Sequence, residues 1–129
     1  MNTFESCCKY LEIPTDLPKC YVKEKQIKAV YKLSVCMEAW NKLDGFEPDE
    51  TASYYQEKVG YTPYFDYKDG RLLSSGAASY GSSAGIVHAH ATYSAANTSA
   101  FFGLRLCFIT RSRAVEFGEV FIETFNELI

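Results

Sequence analysis

The sequence predicts an α+β domain: two N-terminal helices, a three- to four-stranded antiparallel sheet, and a C-terminal helix packed on that sheet. Three observations predict it. Apolar residues recur at helical spacing near both ends of the chain. Aromatic-rich and alternating stretches lie between them. Asp69-Gly70 marks a tight turn joining two of those stretches. With 129 residues the chain makes a single domain, 1–129, large enough to bury a core without staples.

The first helix starts at Asn2 or Thr3, either of which can cap it. Phe4, Cys7, Cys8 and Leu11 then fall on one stripe. Pro14 and Pro18 end it and force an extended connection. A longer helix is predicted from about Lys19 to Leu43. Val22, Ala29, Leu33, Cys36, Trp40 and Leu43 form one face, and Ile27, Val30, Tyr31 and Met37 widen it toward a second contact. Asp44-Gly45 stops this helix, with Gly45 in the left-handed position.

Residues 46–58 read as an acidic, then tyrosine-bearing loop. Tyr61 to Tyr67 favours a strand, Asp69-Gly70 turns it, and Arg71 to Ser74 begins the return. Pro63 has no N–H to give, which places its strand at an edge or at its entry. GIVHAHATYS alternates as a strand would. In Leu104 to Ile109, Leu104, Leu106 and Phe108 face one way and Arg105, Cys107 and Ile109 the other. Thr110 caps a final helix running to about Leu128, with Ala114, Phe117, Gly118, Phe121, Phe125 and Leu128 as its buried stripe. Gly118 in a helix interior implies a close approach between that helix and the sheet.

A net charge of −3 argues against a non-specific nucleic-acid binder, which needs many cations facing phosphate. The five cysteines include no C-x-x-C, so the spacing of zinc and thioredoxin-like sites is missing; free thiols in a reducing compartment are expected. MNTFESCC lacks the basic start and apolar core of a signal peptide, and no apolar run reaches the length of a membrane span. A cytoplasmic location and no membrane partner are the expectation.

The stretch Leu72–Leu104 holds no Asp, Glu, Lys or Arg, and Ala, Gly and Ser supply 19 of its 33 residues. Small side chains let backbones approach, and the lack of charge removes a desolvation cost. A flexible linker needs neither property and would not carry Ile86, Val87, Tyr93, Phe101 and Phe102. The run is therefore expected to be covered, with those five residues at an interface in a homo-oligomer or against a partner.

Gly103, Leu104, Arg105, Leu106, Cys107 and Phe108 precede a helix with Ala114, Phe117, Gly118 and Phe121. Upstream lie Lys58, Tyr61, Pro63, Tyr64 and Phe65, and before them Ala39-Trp40-Asn41. This pattern resembles a group of small uncharacterised proteins of tailed phages and prophages of anaerobic gut bacteria. The likeness runs from about Trp40 to the C-terminus. Ile109-Thr110 stands where that group usually has Lys-Ser, and the small-residue run is longer and less polar here. The resemblance implies a phage origin and a location in the host cytoplasm or the virion. It implies no chemistry.

Four patterns could carry chemistry. Gly81-Ser82-Ser83-Ala84-Gly85 matches G-x-S-x-G, but strand-like IVHAHAT follows it and no Asp occurs after Asp69, so a serine hydrolase is not expected. His88 and His90 share one strand face and make half of a metal site, with nothing to mark further ligands among Asp66, Asp69 and Cys107. His90-Ala91-Thr92 fits one of the two elements a two-histidine phosphoesterase needs. Arg105, Arg111 and Arg113 flank the start of the last helix, whose unpaired N–H groups favour anions.

The expected function is a non-enzymatic, homo-oligomeric binding protein that sequesters or blocks a host component, one version being a counter-defence protein that traps a nucleotide signal. Arg105, Arg111, Arg113, Arg71, Ser82, Ser83, His88 and His90 are the candidate anion or nucleotide ligands. No catalytic residue, metal or cofactor is assigned. A virion or assembly component is the first alternative. A small phosphoesterase or metal hydrolase using His88 and His90 is the second.

Overall fold

Helix α1 (Phe4–Leu11) begins with a reciprocal cap. The Ser6 N–H donates to Thr3 Oγ1 and the Thr3 N–H donates to Ser6 Oγ, both at 3.1 Å. Phe4, Cys7 and Cys8 face the core, and the chain leaves the helix at Glu12, in the left-handed region at φ 58°. The computed structural model of the chain describes residues 1–47, 60–81, 95–96 and 107–129.

Helix α2 (Glu24–Asp44) starts five residues later than the Lys19 its pattern predicts. Lys23 sits in the left-handed region at φ 48°, which no helix interior tolerates, so Glu24 opens the first turn and pairs with Lys28 one turn on. Gly45, at φ 68°, closes the helix as expected, its N–H donating to Asn41 and Lys42 carbonyls. The buried face holds Ala29, Leu33, Cys36, Ala39 and Trp40. Val22 and Leu43, expected on it, are 73% and 56% exposed. Val22 lies ahead of the helix, and in the last turn it is Asp44, not Leu43, that turns inward to meet Arg113.

Strands β1 (Gly60–Lys68) and β2 (Arg71–Gly81) form an antiparallel hairpin. Asp69 and Gly70 both have positive φ, 54° and 77°, the geometry that matches the twist of the flanking strands. β2 runs well beyond Ser74, so the uncharged run opens as strand. On its other side β1 meets β3 (Ala95–Ala96) at Phe65 and Asp66, and Phe108 bridges to Tyr61.

Pro63 is therefore not on an edge strand; β1 lies between β2 and β3. The fold accommodates it by gap placement. Tyr61 exchanges both backbone hydrogen bonds with Phe108 at 2.9 Å, so the same edge of β1 presents Pro63 two residues later. The missing N–H falls between the Phe108 bridge and β3. Of the strand expected over Leu104–Ile109, the described part contributes that single bridge.

The single C-terminal helix expected after Thr110 is two, α3 (Arg111–Val120) and α4 (Ile122–Asn126). Thr110 caps α3 as expected, its hydroxyl accepting from the Arg113 N–H at 3.1 Å. Phe121 leaves helical geometry at φ −106° and ψ 21°. Its N–H still donates to the Phe117 carbonyl, and the Phe125 N–H to its own carbonyl, both at 3.0 Å, so the joint is a kink. Ala114, Phe117, Gly118, Phe121, Phe125 and Leu128 are all buried, and α3 packs on β1 and β2.

The core joins these layers. Phe117 stacks against Phe108 and Phe121, with ring centroids 4.5 and 4.6 Å apart, and stands edge-on to Trp40 at 5.1 Å. Gly60 is required by close approach: a Cβ there would lie 2.2 Å from Cys107 Sγ and 2.6 Å from the Phe108 carbonyl. No helix among the described residues is long and apolar enough to cross a membrane.

Candidate functional site

The candidate ligands divide into those the described residues contain and those they do not. Arg105, Ser82, Ser83, His88 and His90 lie outside the described residues, as do the interface candidates Ile86, Val87, Tyr93, Phe101 and Phe102. Arg71, Arg111 and Arg113 lie within them.

Arg113 is committed to its own chain. Its Nε donates to Asp44 Oδ2 at 2.8 Å and its Nη1 to Glu116 Oε2 at 3.1 Å. Its guanidinium also lies over the Trp40 ring, 4.3 Å from the centroid. Burial pulls its pKa down, but the hydrogen bonds and charges of Asp44 and Glu116 outweigh that and raise it. This arrangement fastens the last turn of α2 to the first turn of α3.

Arg71 opens β2 and meets α4. Its Nη2 donates to both carboxylate oxygens of Glu123, at 2.6 and 2.8 Å. Beside it, Asn126 presents a side-chain amide to β2: the Leu72 N–H donates to Asn126 Oδ1 at 2.7 Å, and Asn126 Nδ2 donates to the Leu72 carbonyl at 3.0 Å. One amide thus completes both backbone groups of an outer strand.

Arg111 opens α3 and lies over the Tyr61 ring, 5.6 Å from its centroid. The fold does not bring it to Arg71. Arg71 pairs with Lys68 at one end of β1, whereas Tyr61 lies at the other. Seven residues of strand at about 3.3 Å each separate the two arginines by roughly 20 Å. Arg111 and Arg113 do share the first turn of α3, but Arg113 spends its donors on carboxylates.

Sequence patterning missed Asn41. It is a polar residue on the buried face of α2, and its Nδ2 donates to the Cys107 carbonyl at 2.9 Å. Its Oδ1 is buried without a hydrogen-bond partner. Met37 Sδ accepts from the Cys107 N–H at 3.4 Å, so two α2 side chains hold the segment that enters α3. Asn41, Lys42, Gly45, Phe46 and Glu47 line a concavity of about 300 Å³ at the end of α2. A polar residue interrupting an apolar helical face is the signal that could have found Asn41.

The Cys107 thiol beside these groups is structural. Burial pushes Cys107 up to about 12, with backbone hydrogen bonds from Gly60 and Phe108 offsetting only part of it. Such a thiol stays protonated and unreactive at neutral pH. Among the described residues, no cluster of three or more His, Cys, Asp or Glu could hold a metal ion. No protein family, curated protein or solved structure matches this chain.

Proposed function

We propose that the chain is a non-enzymatic binding protein of phage origin that works as a homo-oligomer and sequesters or blocks a host component. In this reading the uncharged run is the assembly segment, Ile86, Val87, Tyr93, Phe101 and Phe102 are its contacts, and it completes a three- to four-stranded antiparallel sheet. The cytoplasm of the host is its place of action.

One observation carries the reading. Among the described residues β2 is one of the two outer strands, and from Leu72 to Gly81 it contains no charge and no proline. Natural sheets blunt their outer strands with charges, prolines or a cover. Asn126 covers Leu72. Farther along, the pairing of Tyr61 with Phe108 makes Tyr80, opposite Tyr61, a non-hydrogen-bonded partner, and Ala78, opposite Pro63, follows two residues away. The backbone groups of Ala78 and Tyr80 therefore point away from β1. A symmetric copy meeting this neutral edge brings no like charges together.

Light scattering of the full chain is expected to give a mass above the monomer. Ala78→Pro removes an N–H that the hairpin does not use, and is expected to shift that mass to monomer while far-UV dichroism is kept. A strict monomer whose Ala78 and Tyr80 amides exchange rapidly sinks the proposal. The nucleotide-trapping version draws support from Arg111 over Tyr61 at the start of α3. Native mass spectrometry against a nucleotide panel tests it; no bound nucleotide, with Arg105→Ala and Arg111→Ala silent in infection, ends that version alone.

A further inference from the structure

The concavity at the end of α2 is lined by a residue with one polar atom that the chain leaves without a partner. Asn41 lines it and is 3% exposed. Its other polar groups are spent. Nδ2 donates to the Cys107 carbonyl at 2.9 Å, and its backbone carbonyl accepts from the Gly45 and Phe46 N–H groups. Oδ1 has no hydrogen-bond partner. A buried acceptor left unpaired carries a desolvation cost, which an apolar side chain on this face of α2 would avoid.

We propose that this concavity binds a small aliphatic primary ammonium ion, which donates to Asn41 Oδ1. An amide oxygen only accepts, so its ligand must bring an N–H or O–H. The surroundings select a cation among such donors. The C-terminal pole of α2 is negative, and Glu47, an exposed carboxylate, stands on the wall. Lys42, the cation among these lining residues, holds its ammonium over the Tyr10 ring, 5.8 Å from the centroid. Arg113, which reaches the same helix end, is neutralised by Asp44 and Glu116.

Size and shape fit the same ligand. A volume of about 300 Å³ is the lower end of small-molecule sites and suits an alkyl chain of a few carbons. Phe46 supplies an apolar wall for that chain. Gly45 keeps one side open: a Cβ there would meet nothing within 4 Å. An ammonium thus has its donor set against Oδ1, its charge against Glu47 and the helix end, and its chain against Phe46.

The test titrates the full isotope-labelled chain with n-butylammonium and follows the Asn41 side-chain amide by NMR. A saturable shift of that amide is expected, with a Kd on the order of millimolar. n-Butanol donates without charge, and tetramethylammonium is charged but cannot donate; each is expected to bind about tenfold more weakly or worse. Glu47→Gln should weaken butylammonium about two- to fivefold, as loss of an exposed charge does. Gly45→Asn should abolish the shift, because Asn tolerates the left-handed position and fills the open side. No shift at Asn41, an equal response to tetramethylammonium, or unchanged binding in Gly45→Asn overturns the proposal. If Gly45→Asn does not fold, the ranking of the three ligands decides alone.

Discussion

Where α2 meets α3, contact is made by rings: Trp40 stands edge-on to both Phe117 and Phe121, and Phe117 reaches on to Phe108 and Phe125. Where β2 meets α4, much of the polar contact is made by one amide, Asn126 on Leu72, and one exposed ion pair, Arg71 with Glu123. The first junction gains stability from area removed from water and tolerates small rotations. The second depends on direction, because a hydrogen bond is lost within a fraction of an ångström. The helical side is therefore built for strength, and the hairpin side for register.

Four substitutions or titrations can break or sharpen that contrast. Phe117→Ala should have the largest effect, a loss of about 3–5 kcal/mol in urea unfolding, because it empties the centre of the ring cluster. Asn126→Ala should cost about 1–3 kcal/mol, since Leu72 loses both backbone partners at once. It should also speed hydrogen exchange at the Leu72 amide. If the two variants cost the same, or in the reverse order, the contrast fails.

The third test is alkaline. Cys107 holds its proton up to about 12 in the folded chain, against an ordinary value of 9.0. The folded state thus binds the proton more tightly than the unfolded state. Its contribution is complete below pH 9 and is lost as pH rises from about 9 to 12. Stability measured by urea across that window should fall by up to about 1.4 kcal/mol per pH unit for this group. Cys107→Ala should flatten the slope by that share. Smallest of the four is Arg71→Ala, expected to cost less than about 1 kcal/mol in urea unfolding because both partners are well exposed.

What could be read ahead of the structure follows the same division. The cap at Thr110, the stop at Gly45 and the turn at Asp69-Gly70 were legible, and the cap of α1 was narrowed to Asn2 or Thr3, because each is decided by a few adjacent residues. The buried stripe of the last helices was legible because its spacing survives the kink at Phe121. The kink itself was not, since no proline marks it and Gly118, one turn earlier, reads equally as a point of close packing. Nor was the late start of α2: Lys23 takes a left-handed conformation that its residue type does not announce.

β2 was foreseen only as far as Ser74 because small neutral residues carry no alternation to count. The position of β1 was misjudged for a different reason. Pro63 signals a missing donor, but not which neighbour will be spared the loss. Asn41 and Asn126 could not be assigned because their partners, Cys107 and Leu72, are 66 and 54 residues away in the chain. Of the candidate ligands, the residue types were legible, and the commitment of Arg113 to Asp44 and Glu116 was only half so: Glu116 is a helical neighbour, Asp44 a tertiary one.

The placement of Trp40 has a practical consequence. It is the sole tryptophan, 3% exposed, and its indole N–H donates to the Met1 carbonyl at 2.9 Å. The same ring touches α3 and lies beneath Arg113. A single native fluorophore therefore watches three seams at once. Fraying of the N-terminus, slippage of α3 and release of the guanidinium would each change its emission, and no dye need be attached to see them.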